Sequence, residues 1–280
     1  MPLPALDRTA GSAQIIAISN QKGGVGKTTT AVNLATALAA SGCSVLLIDL
    51  DPQGNASTGL GIGPEQRTLG SYCVLILHTP PEDAARPSGI PNLAIIPAEP
   101  DLAGAEIELV ALDRRQSRLR DALAPLRAGA LRYDYVIIDC PPSLGLLTIN
   151  ALVAADAVLV PLQCEFYALE GISGLMRTIE AVRRGYNPSL RLTGIVLTMY
   201  DKRNNLADQV AADARGFFGS AVFDTVIPRN VRVTEAPSYG KPVLLYDFRS
   251  PGAQAYVRLA AELLRRERAV AAGSGASNAA

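Results

Sequence analysis

Short runs of consecutive apolar residues recur along the chain, separated by longer segments in which apolar residues follow helical spacing. The runs lie at Ile15–Ile18, Val45–Ile48, Leu93–Ile96, Tyr135–Ile138, Ala157–Val160, Ile195–Leu197 and Val222–Ile227. Continuous apolar character is typical of strands that are covered on both faces. The alternation of such strands with helices predicts an α/β fold with a doubly wound, mainly parallel sheet and helices on both faces.

The same spacing predicts where the first and last helices lie. An apolar stripe from Ala31 to Leu38 follows the first strand, and a second stripe from Tyr256 to Leu264 follows Pro251. The second stripe predicts that the last helix begins after Pro251 and packs on the core.

Length and composition suggest one large domain with a substantial core, because the chain has 280 residues of which 49% are hydrophobic. We predict a flexible N-terminal segment at 1–13, a single domain at 14–268 and a disordered Ala/Gly/Ser-rich tail at 269–280. Residues 62–92 are proline-rich and weakly periodic, and we expect them to form an irregular connection.

Charge, cysteine spacing and hydrophobic runs bear on whether the chain binds nucleic acid or zinc, is secreted or crosses a membrane. The formal net charge is zero, so any nucleic-acid site must be a local patch. The four cysteines are widely separated without C-x-x-C spacing, which predicts reduced core residues in a cytoplasmic protein rather than zinc ligands. We also expect neither a secretory signal nor a membrane span, because no basic segment precedes an apolar run and no run reaches about 18 residues.

The most specific motif lies between the first strand and the first helix. Residues 22–28 read Lys-Gly-Gly-Val-Gly-Lys-Thr, close to the phosphate-binding pattern G-x-x-x-x-G-K-[ST]. Glycines let backbone N–H groups surround phosphate oxygens, and a helix N-terminus adds a positive dipole. The predicted nucleotide-binding residues are Lys22, Gly23, Gly24, Val25, Gly26, Lys27, Thr28 and Thr29. Lys27 would neutralise phosphate charge, and Thr28 would ligate Mg²⁺.

This motif departs from the usual pattern. Gln21 occupies the first glycine position, and an additional lysine, Lys22, follows it. A single P-loop has no obvious local use for a second lysine, so we predict that Lys22 contacts phosphates across a dimer interface; the alternative is a solvated loop lysine. The form resembles the deviant Walker A motif of the ParA/MinD family of ATPases, in which the extra lysine contacts the partner subunit's nucleotide. That resemblance implies a P-loop NTPase that uses ATP and Mg²⁺.

Aspartates close two of the predicted strands. Asp139 ends the run that begins at Tyr135, which is the Walker B pattern, so we predict that it binds Mg²⁺. The sequence Asp-Leu-Asp-Pro-Gln-Gly-Asn at 49–55 resembles the switch I segment of the ParA family. On that resemblance Asp51 orients the attacking water, and Lys22, Lys27 and Asp51 form the catalytic set. Asp49 is either a supporting residue of the site or a structural one.

The segment after Asp139 reads Cys-Pro-Pro-Ser-Leu-Gly at 140–145 and looks like a switch II segment. Such a segment would carry a signal from the γ-phosphate into the next helix and so change the affinity for a partner. A rigid loop without a switching role is the alternative, and the sequence favours neither.

A later segment resembles the region near the adenine in chromosome-partitioning ParA proteins. It reads Ile-Pro-Arg-Asn-Val-Arg at 227–232, which makes Pro228 and Asn230 candidates for the base pocket. An asparagine amide can pair with the adenine edge through one donor and one acceptor. An ordinary turn asparagine is the alternative.

Basic residues exceed acidic ones in the last third of the domain, with nine Lys/Arg against five Asp/Glu between Arg183 and Lys241. That modest excess suits contact with phosphates better than base readout. The family resemblance, rather than charge, makes this a DNA face. The candidates are Lys202, Arg203, Arg229 and Arg232, of which Arg203 and Arg232 are preferred. Solvated surface arginines are the alternative.

The resemblance spans about residues 14 to 262 and implies a specific function. It implies a cytoplasmic, nucleoid-associated ATPase that drives chromosome or plasmid segregation, with weak intrinsic activity stimulated by its partner and DNA. The implied partners are a second copy of the chain in an ATP-dependent dimer, nonspecific double-stranded DNA and a ParB-like centromere-binding protein, with no membrane.

Other functions of related proteins fit the sequence less well. A MinD-like membrane ATPase needs a bulky C-terminal amphipathic helix, and Leu263–Arg266 is too short a start. A nitrogenase-like iron protein needs two cysteines from each subunit, and Cys140 has no convincing companion. An operator-reading protein needs an N-terminal helix-turn-helix, whereas 21 residues precede Lys22. A cargo-positioning ATPase that acts as a nucleotide-dependent binding switch stays open.

Overall fold

The computed structural model describes residues 13–128, 133–165 and 168–277. Its strands in these ranges are β1 (Gln14–Ile18), β2 (Val45–Asp49), β3 (Arg86–Pro87), β4 (Leu93–Ile96), β5 (Tyr135–Asp139), β6 (Ala157–Gln163), β7 (Arg191–Tyr200) and β8 (Val222–Pro228). Its α-helices there are α1 (Lys27–Ala40), α2 (Asn55–Gly59), α3 (Ser71–Ile76), α4 (Pro81–Ala84), α5 (Ala105–Val110), α6 (Arg118–Ala122), α7 (Ala124–Arg127), α8 (Leu146–Ala154), α9 (Ala168–Gly185), α10 (Asn205–Phe218), α11 (Val231–Glu235), α12 (Val243–Tyr246) and α13 (Pro251–Ser277).

The strands form one sheet in the order β3-β4-β2-β5-β1-β6-β7-β8. Neighbouring strands run parallel except at the edge, where the two-residue β3 pairs with β4 in the antiparallel sense. The fold prediction is therefore confirmed. Asp139 stands in register with Ile18 of β1 on one side and with Asp49 of β2 on the other. The carboxyl ends of these three strands thus meet at one edge, where ligands bind in open α/β sheets.

Two hydrophobic cores cover the two faces of the sheet. Alternate residues of β1 divide between them, with Ile15 in one core and Ile16 in the other, and both side chains are fully buried. The core on the Ile16 side includes α1 and α13, which contact each other. Because both faces are covered, the central strands are apolar at nearly every position. This continuous apolar pattern is the reason that the strands could be predicted from the sequence.

The region 62–92 is more regular than expected. It contains α3, α4 and the edge strand β3 rather than only irregular connection. The Glu99 carboxylate accepts hydrogen bonds from the backbone N–H groups of Tyr72 (3.0 Å) and Cys73 (2.9 Å) in the first turn of α3. This cap comes from a distant part of the chain, so neither helical spacing nor a local capping residue announced the helix.

The chain ends differently from the predicted arrangement. The last helix begins at Pro251 itself rather than after it, and it continues through 269–277, where we predicted a disordered tail. The alanines of this segment favour a helix, but its two glycines and two serines do not, so helix propensity alone does not account for the extension. Residues 1–12 of the predicted flexible segment and 278–280 of the tail lie outside the described residues, and the division 1–13, 14–268 and 269–280 stays a prediction. No helix in the described ranges has the length and apolar character required to cross a membrane.

Candidate nucleotide-binding site

The loop between β1 and α1 has the backbone conformation that a phosphate site needs. Gly26, directly before α1, has φ 87° and ψ 29°, a left-handed conformation that favours glycine. The first turn of α1 contains no acidic residue, and no side chain caps it. Its backbone N–H groups therefore point out of a helix end with a positive dipole, which is an arrangement that binds anions.

Thr198 holds this loop against the sheet. Its hydroxyl donates to the carbonyl oxygen of Val25 at 2.8 Å from the buried end of β7. Val25 is itself 1% exposed, so the middle of the loop is fixed by packing as well as by a hydrogen bond. Contacts within the chain thus fix the loop backbone, and a fixed loop loses little entropy when it binds a ligand.

Lys27 lies inside the loop. Its side chain is buried, and its ammonium donates to the carbonyl oxygen of Lys22 at 2.9 Å. Burial lowers the pKa of Lys27 below its ordinary value, and the nearby Asp139 carboxylate opposes that shift. A buried cation whose main partner is a neutral carbonyl would gain strongly from a phosphate placed in the loop.

Lys22 has a different environment. Its ammonium forms an ion pair with Glu165, and both side chains are 38% exposed. Glu165 lies two residues beyond the end of β6, so it belongs to the same carboxyl edge of the sheet as the loop. Our sequence analysis missed Glu165, although an acid directly after a buried strand at this edge was the available signal.

Asp49 and Asp139 face each other across neighbouring strands, and both are fully buried. Asp49 accepts hydrogen bonds from the backbone N–H (2.8 Å) and the hydroxyl (2.7 Å) of Ser57, which ties β2 to α2. Burial raises the pKa of Asp49 to about 6, while the Ser57 bonds favour its charged form. Of the two roles left open for Asp49, these contacts favour a structural role over a supporting role in the site.

Asp139 has no such bonds. Both of its carboxylate oxygens are buried, and within the described residues neither has a hydrogen-bond partner. Burial, reinforced by the neighbouring Asp49 carboxylate, holds the pKa of Asp139 well above its ordinary value, and the Thr28 hydroxyl favours the charged form. An unpartnered buried carboxylate beside a threonine hydroxyl is a donor set that fits Mg²⁺, which often takes few protein ligands and completes its shell with phosphate oxygens and water.

The described residues contain no cluster of three or more His, Cys, Asp or Glu side chains placed to hold a metal by themselves. Any Mg²⁺ at Asp139 would therefore depend on ligands from a nucleotide, as in other phosphate-bound magnesium sites. All four cysteines are buried, and none of them forms a disulfide within the described residues.

Asp51 lies beside this acidic pair at the start of the turn that leads into α2. It is 7% exposed, and one of its oxygens accepts the backbone N–H of Gln53 at 3.0 Å. Gly54 then enters α2 with φ 62°, where a side chain would collide with the Arg67 guanidinium 2.1 Å away. The turn thus holds Asp51 close to the P-loop, in a position from which a carboxylate can contact water.

The segment after Asp139 is anchored at its far end. The Thr148 hydroxyl donates to the carbonyl oxygen of Ser143 at 2.6 Å, and Glu106 of α5 lies against Gly145, where a Cβ atom would meet its carboxylate 2.0 Å away. A side chain at 145 would therefore displace the Glu106 carboxylate from this position. The contact links the segment to α5, a connection that the sequence analysis did not identify.

A cavity of about 390 Å³ connects the P-loop with the segment after β8. Its lining includes Gly26, Thr29, Pro228 and Asn230. The side-chain oxygen of Asn230 is buried and, in the described part of the chain, has no hydrogen-bond partner. A buried amide acceptor at the wall of a cavity is suited to an exocyclic amine such as that of adenine.

The four predicted DNA-binding residues lie together. Lys202 and Arg203 follow β7, whereas Arg229 and Arg232 follow β8, and Tyr200 pairs with Pro228 at the ends of these two strands. Both preferred arginines have acidic neighbours from their own segments. Arg203 makes two hydrogen bonds to Asp201, at 3.0 and 2.8 Å, which lower the pKa of Asp201 to about 2. Arg232 pairs with Glu235 at 2.9 Å and with Asp247 at 3.5 Å.

The fold and this site together define a class of protein. A glycine-rich loop with two lysines, strand-end acids and an adjacent base-sized cavity on a doubly wound parallel sheet make a P-loop nucleotide-binding protein. Comparison with known proteins specifies the family. An AAA-domain family model matches residues 13–192. The chromosome partitioning protein ParA of Caulobacter vibrioides is 62% identical over 260 residues, which cover 93% of this chain and 97% of that protein.

A second relative places the chain in the same group. The sporulation initiation inhibitor protein Soj of Bacillus subtilis is 53% identical over 250 residues, covering 89% of this chain and 98% of Soj. The chain belongs to the ParA/Soj family of partition ATPases, as its motifs indicated. Among solved structures, the cobyrinic acid a,c-diamide synthase of Mycobacterium smegmatis with bound ADP and magnesium is 39% identical, with TM-score 0.79 and coverage of 91% and 96%. That name denotes another activity, so this neighbour supports the nucleotide site rather than a biological role.

Proposed function

We propose that this chain is an ATP-hydrolysing partition protein that dimerises on ATP, binds DNA without sequence preference in that state and releases it after hydrolysis. The observation that carries the proposal is the division of work between two lysines. Lys27 is buried within the loop, whereas Lys22 is half-exposed and directed to the end of β6. One lysine suffices for the phosphates of its own site, so the second is available to another subunit.

Each residue of the site has a separate role in the proposed ATPase reaction. The loop N–H groups and Lys27 bind the phosphates, Thr28 and Asp139 hold Mg²⁺, and Asn230 accepts a hydrogen bond from the adenine amine. When bound, ATP supplies the phosphoanhydride bond that water cleaves to give ADP and phosphate, with Mg²⁺ neutralising charge. Asp51 accepts a hydrogen bond from that water and orients it in line with the bond that breaks.

Dimerisation explains how a few basic residues can bind DNA. We call Lys202, Arg203, Arg229 and Arg232, which follow β7 and β8, the basic edge. The chain has no net charge, and the two preferred arginines already contact carboxylates. Exposed ion pairs are weak in water, so phosphate oxygens can displace those carboxylates. If the ATP dimer presents two such edges to one duplex, their contacts act together, and the affinity greatly exceeds that of one subunit. Hydrolysis would separate the subunits and release the DNA.

The biological process that we propose is segregation of a chromosome or plasmid on the nucleoid, with a ParB-like partner that stimulates a slow intrinsic ATPase. The names of two relatives, both chromosome partitioning proteins, support the segregation role, whereas the ParB-like partner, the nucleoid and the slow ATPase come from the family resemblance. A cargo-positioning or MinD-like switch would use the same nucleotide cycle with a different surface. Stimulation of ATP turnover by a ParB-like protein and DNA together, but by neither a membrane nor another cargo, would distinguish the first role from the second.

Replacement of Lys22 by alanine is expected to leave ATP binding intact and to abolish the ATP-dependent dimer, because Lys22 acts on the nucleotide of another subunit. The measurement is the ATP affinity of the monomer together with the mass in solution in ATP and in ADP. Lys202→Ala removes a lysine that follows β7, two strands away from β1 in the sheet, and this variant should dimerise normally. An ATP dimer of normal affinity in Lys22→Ala protein would remove the role assigned to Lys22.

DNA binding provides the direct test of the function. The Asp51→Ala protein, which is expected not to turn over ATP, should bind a random-sequence duplex with ATP and not with ADP, and the affinity should fall steeply with salt. In that background, Arg203→Ala or Arg232→Ala should weaken binding. Each removes one phosphate contact per subunit, so the slope of log affinity against log salt should fall by roughly two units in a dimer.

The control for the DNA test is Arg114→Ala, which removes an exposed arginine between α5 and α6 that also pairs with an acid, Asp121. Its salt slope should match that of the parent protein. Equal binding in ATP and ADP, or no binding in either, would contradict the proposed cycle. Unchanged slopes in the Arg203 and Arg232 variants would move the DNA contacts to another surface.

A further inference from the structure

Glu165 engages the lysine on which the proposed dimer depends. One of its oxygens pairs with the Lys22 ammonium, and the other accepts a hydrogen bond from the Gln163 amide at 2.8 Å. The carboxylate is therefore oriented toward the P-loop by a neighbour that does not itself contact Lys22. A contact between residues 143 positions apart, held from two sides, differs from a random encounter of surface charges.

The Lys22 backbone is fixed independently of this pair. Its N–H donates to the side-chain oxygen of Asn20 at 3.0 Å, and its carbonyl oxygen accepts from Lys27 at 2.9 Å. Asn20 is in turn tied to β6 by a 2.7 Å bond to the carbonyl oxygen of Pro161. Only the Lys22 side chain has to move when it changes partner, and among the described contacts the interaction that opposes this move is the Glu165 ion pair.

We propose that Glu165 is a positioning residue that holds Lys22 within its own subunit until the phosphates of a second subunit's nucleotide displace it. The inference rests on the proposed function, because it requires Lys22 to act across a dimer. A half-exposed ion pair is weak, so it opposes dimerisation without preventing it. Only subunits with a released Lys22 can form the dimer contact. The apparent dimer affinity is therefore lowered in proportion to the released fraction, once for each of the two subunits.

The test compares Glu165→Gln with the unaltered protein and with Glu180→Gln. Glu180 also pairs with a basic residue, Arg183, on α9, and its replacement makes the same change in charge without touching Lys22. With a non-hydrolysable ATP analogue, sedimentation should give a dimer dissociation constant between about twofold and about twentyfold lower for Glu165→Gln. Glu180→Gln should leave that constant unchanged, and none of the three proteins should dimerise in ADP.

A second measurement follows Lys22 itself. In ADP, where the proteins are monomers, acetylation of Lys22 detected by mass spectrometry should be several-fold faster in Glu165→Gln than in the other two proteins. Gln163→Ala keeps the charge of Glu165 but removes its orienting bond, and it should shift both readouts in the same direction by a smaller amount. A merely structural role for Glu165 would lower stability without accelerating Lys22 acetylation.

The outcomes separate this inference from the function on which it rests. A normal ATP dimer in the unaltered protein, together with an equal or weaker dimer in Glu165→Gln, would overturn the role of Glu165 alone. A weaker dimer would mean that the carboxylate belongs to the dimer contact. Absence of any ATP dimer in the unaltered protein would overturn the proposed function, and the inference with it.

Discussion

Lys27→Ala protein is expected to lose ATP binding, with affinity reduced at least about thirtyfold. The Lys27 ammonium is buried in the phosphate loop and donates to the Lys22 carbonyl oxygen. Removing one member of a buried charge pair costs about 2–5 kcal/mol, because the remaining charge keeps its desolvation and loses its partner. Calorimetric titration with ATP and Mg²⁺ measures the loss directly.

The matched control for this prediction is Lys22→Ala, which removes a lysine from the same loop. It should bind ATP as the unaltered protein does, because Lys22 is directed to Glu165 rather than into the loop. Thermal unfolding in the absence of nucleotide would verify that Lys27→Ala protein is folded. Retention of tight ATP binding by folded Lys27→Ala protein would contradict the assignment of the P-loop.

Asp51→Ala protein is expected to bind ATP and accumulate as the ATP dimer while its turnover falls by at least about a hundredfold. The expectation follows from the size of the effect when a group that positions or activates a nucleophile is removed. Asp51 lies beside Asp139 and Lys27, close enough to influence the pKa of both. Phosphate release and the mass in solution, measured together, would show the loss of turnover and the trapped dimer.

A second substitution separates a catalytic role for Asp51 from a structural one. Asp51→Asn keeps the side-chain oxygen that accepts the Gln53 N–H, so the turn into α2 should be preserved. If Asp51 orients water through its charge, the asparagine variant stays as slow as the alanine variant. Recovery of turnover in Asp51→Asn protein would reduce Asp51 to a turn residue. Asp213→Ala, which removes an exposed acid on α10, should have normal turnover.

The position of Asp139 could be predicted from sequence, but its chemical environment could not. The run Tyr135–Asp139 announces a strand that ends in an acid, since four apolar residues in a parallel sheet are recognisable locally. Strand pairing places Asp49 opposite Asp139, and the return of α2 brings Ser57 into hydrogen-bond contact with Asp49. Asp139, in contrast, has no hydrogen-bond partner in the described part of the chain. Such contacts join residues far apart in sequence, which no local pattern records.

The contacts of the basic edge likewise could not be predicted from the sequence. The sequence placed Arg203 and Arg232 after consecutive strands, and the structure brings those strand ends together. The carboxylates that engage the two arginines come partly from nearby residues, such as Asp201 and Glu235, and partly from Asp247, fifteen positions beyond Arg232. Net charge along a segment describes neither pairing, because it counts charges without their positions.

By itself, the sequence determined the α/β fold, the phosphate loop and the acids at the strand ends, because continuous apolar strands and a glycine-rich turn are set by interactions among near neighbours. The tertiary structure alone decided which of those groups are engaged. It paired Lys22 with Glu165, joined Asp49 to Ser57 by hydrogen bonds and capped α3 with Glu99. It also left the Asp139 carboxylate and the Asn230 side-chain oxygen without a hydrogen-bond partner among the described residues. These choices depend on which strand ends and loops meet when the sheet assembles, and that meeting is a property of the whole chain.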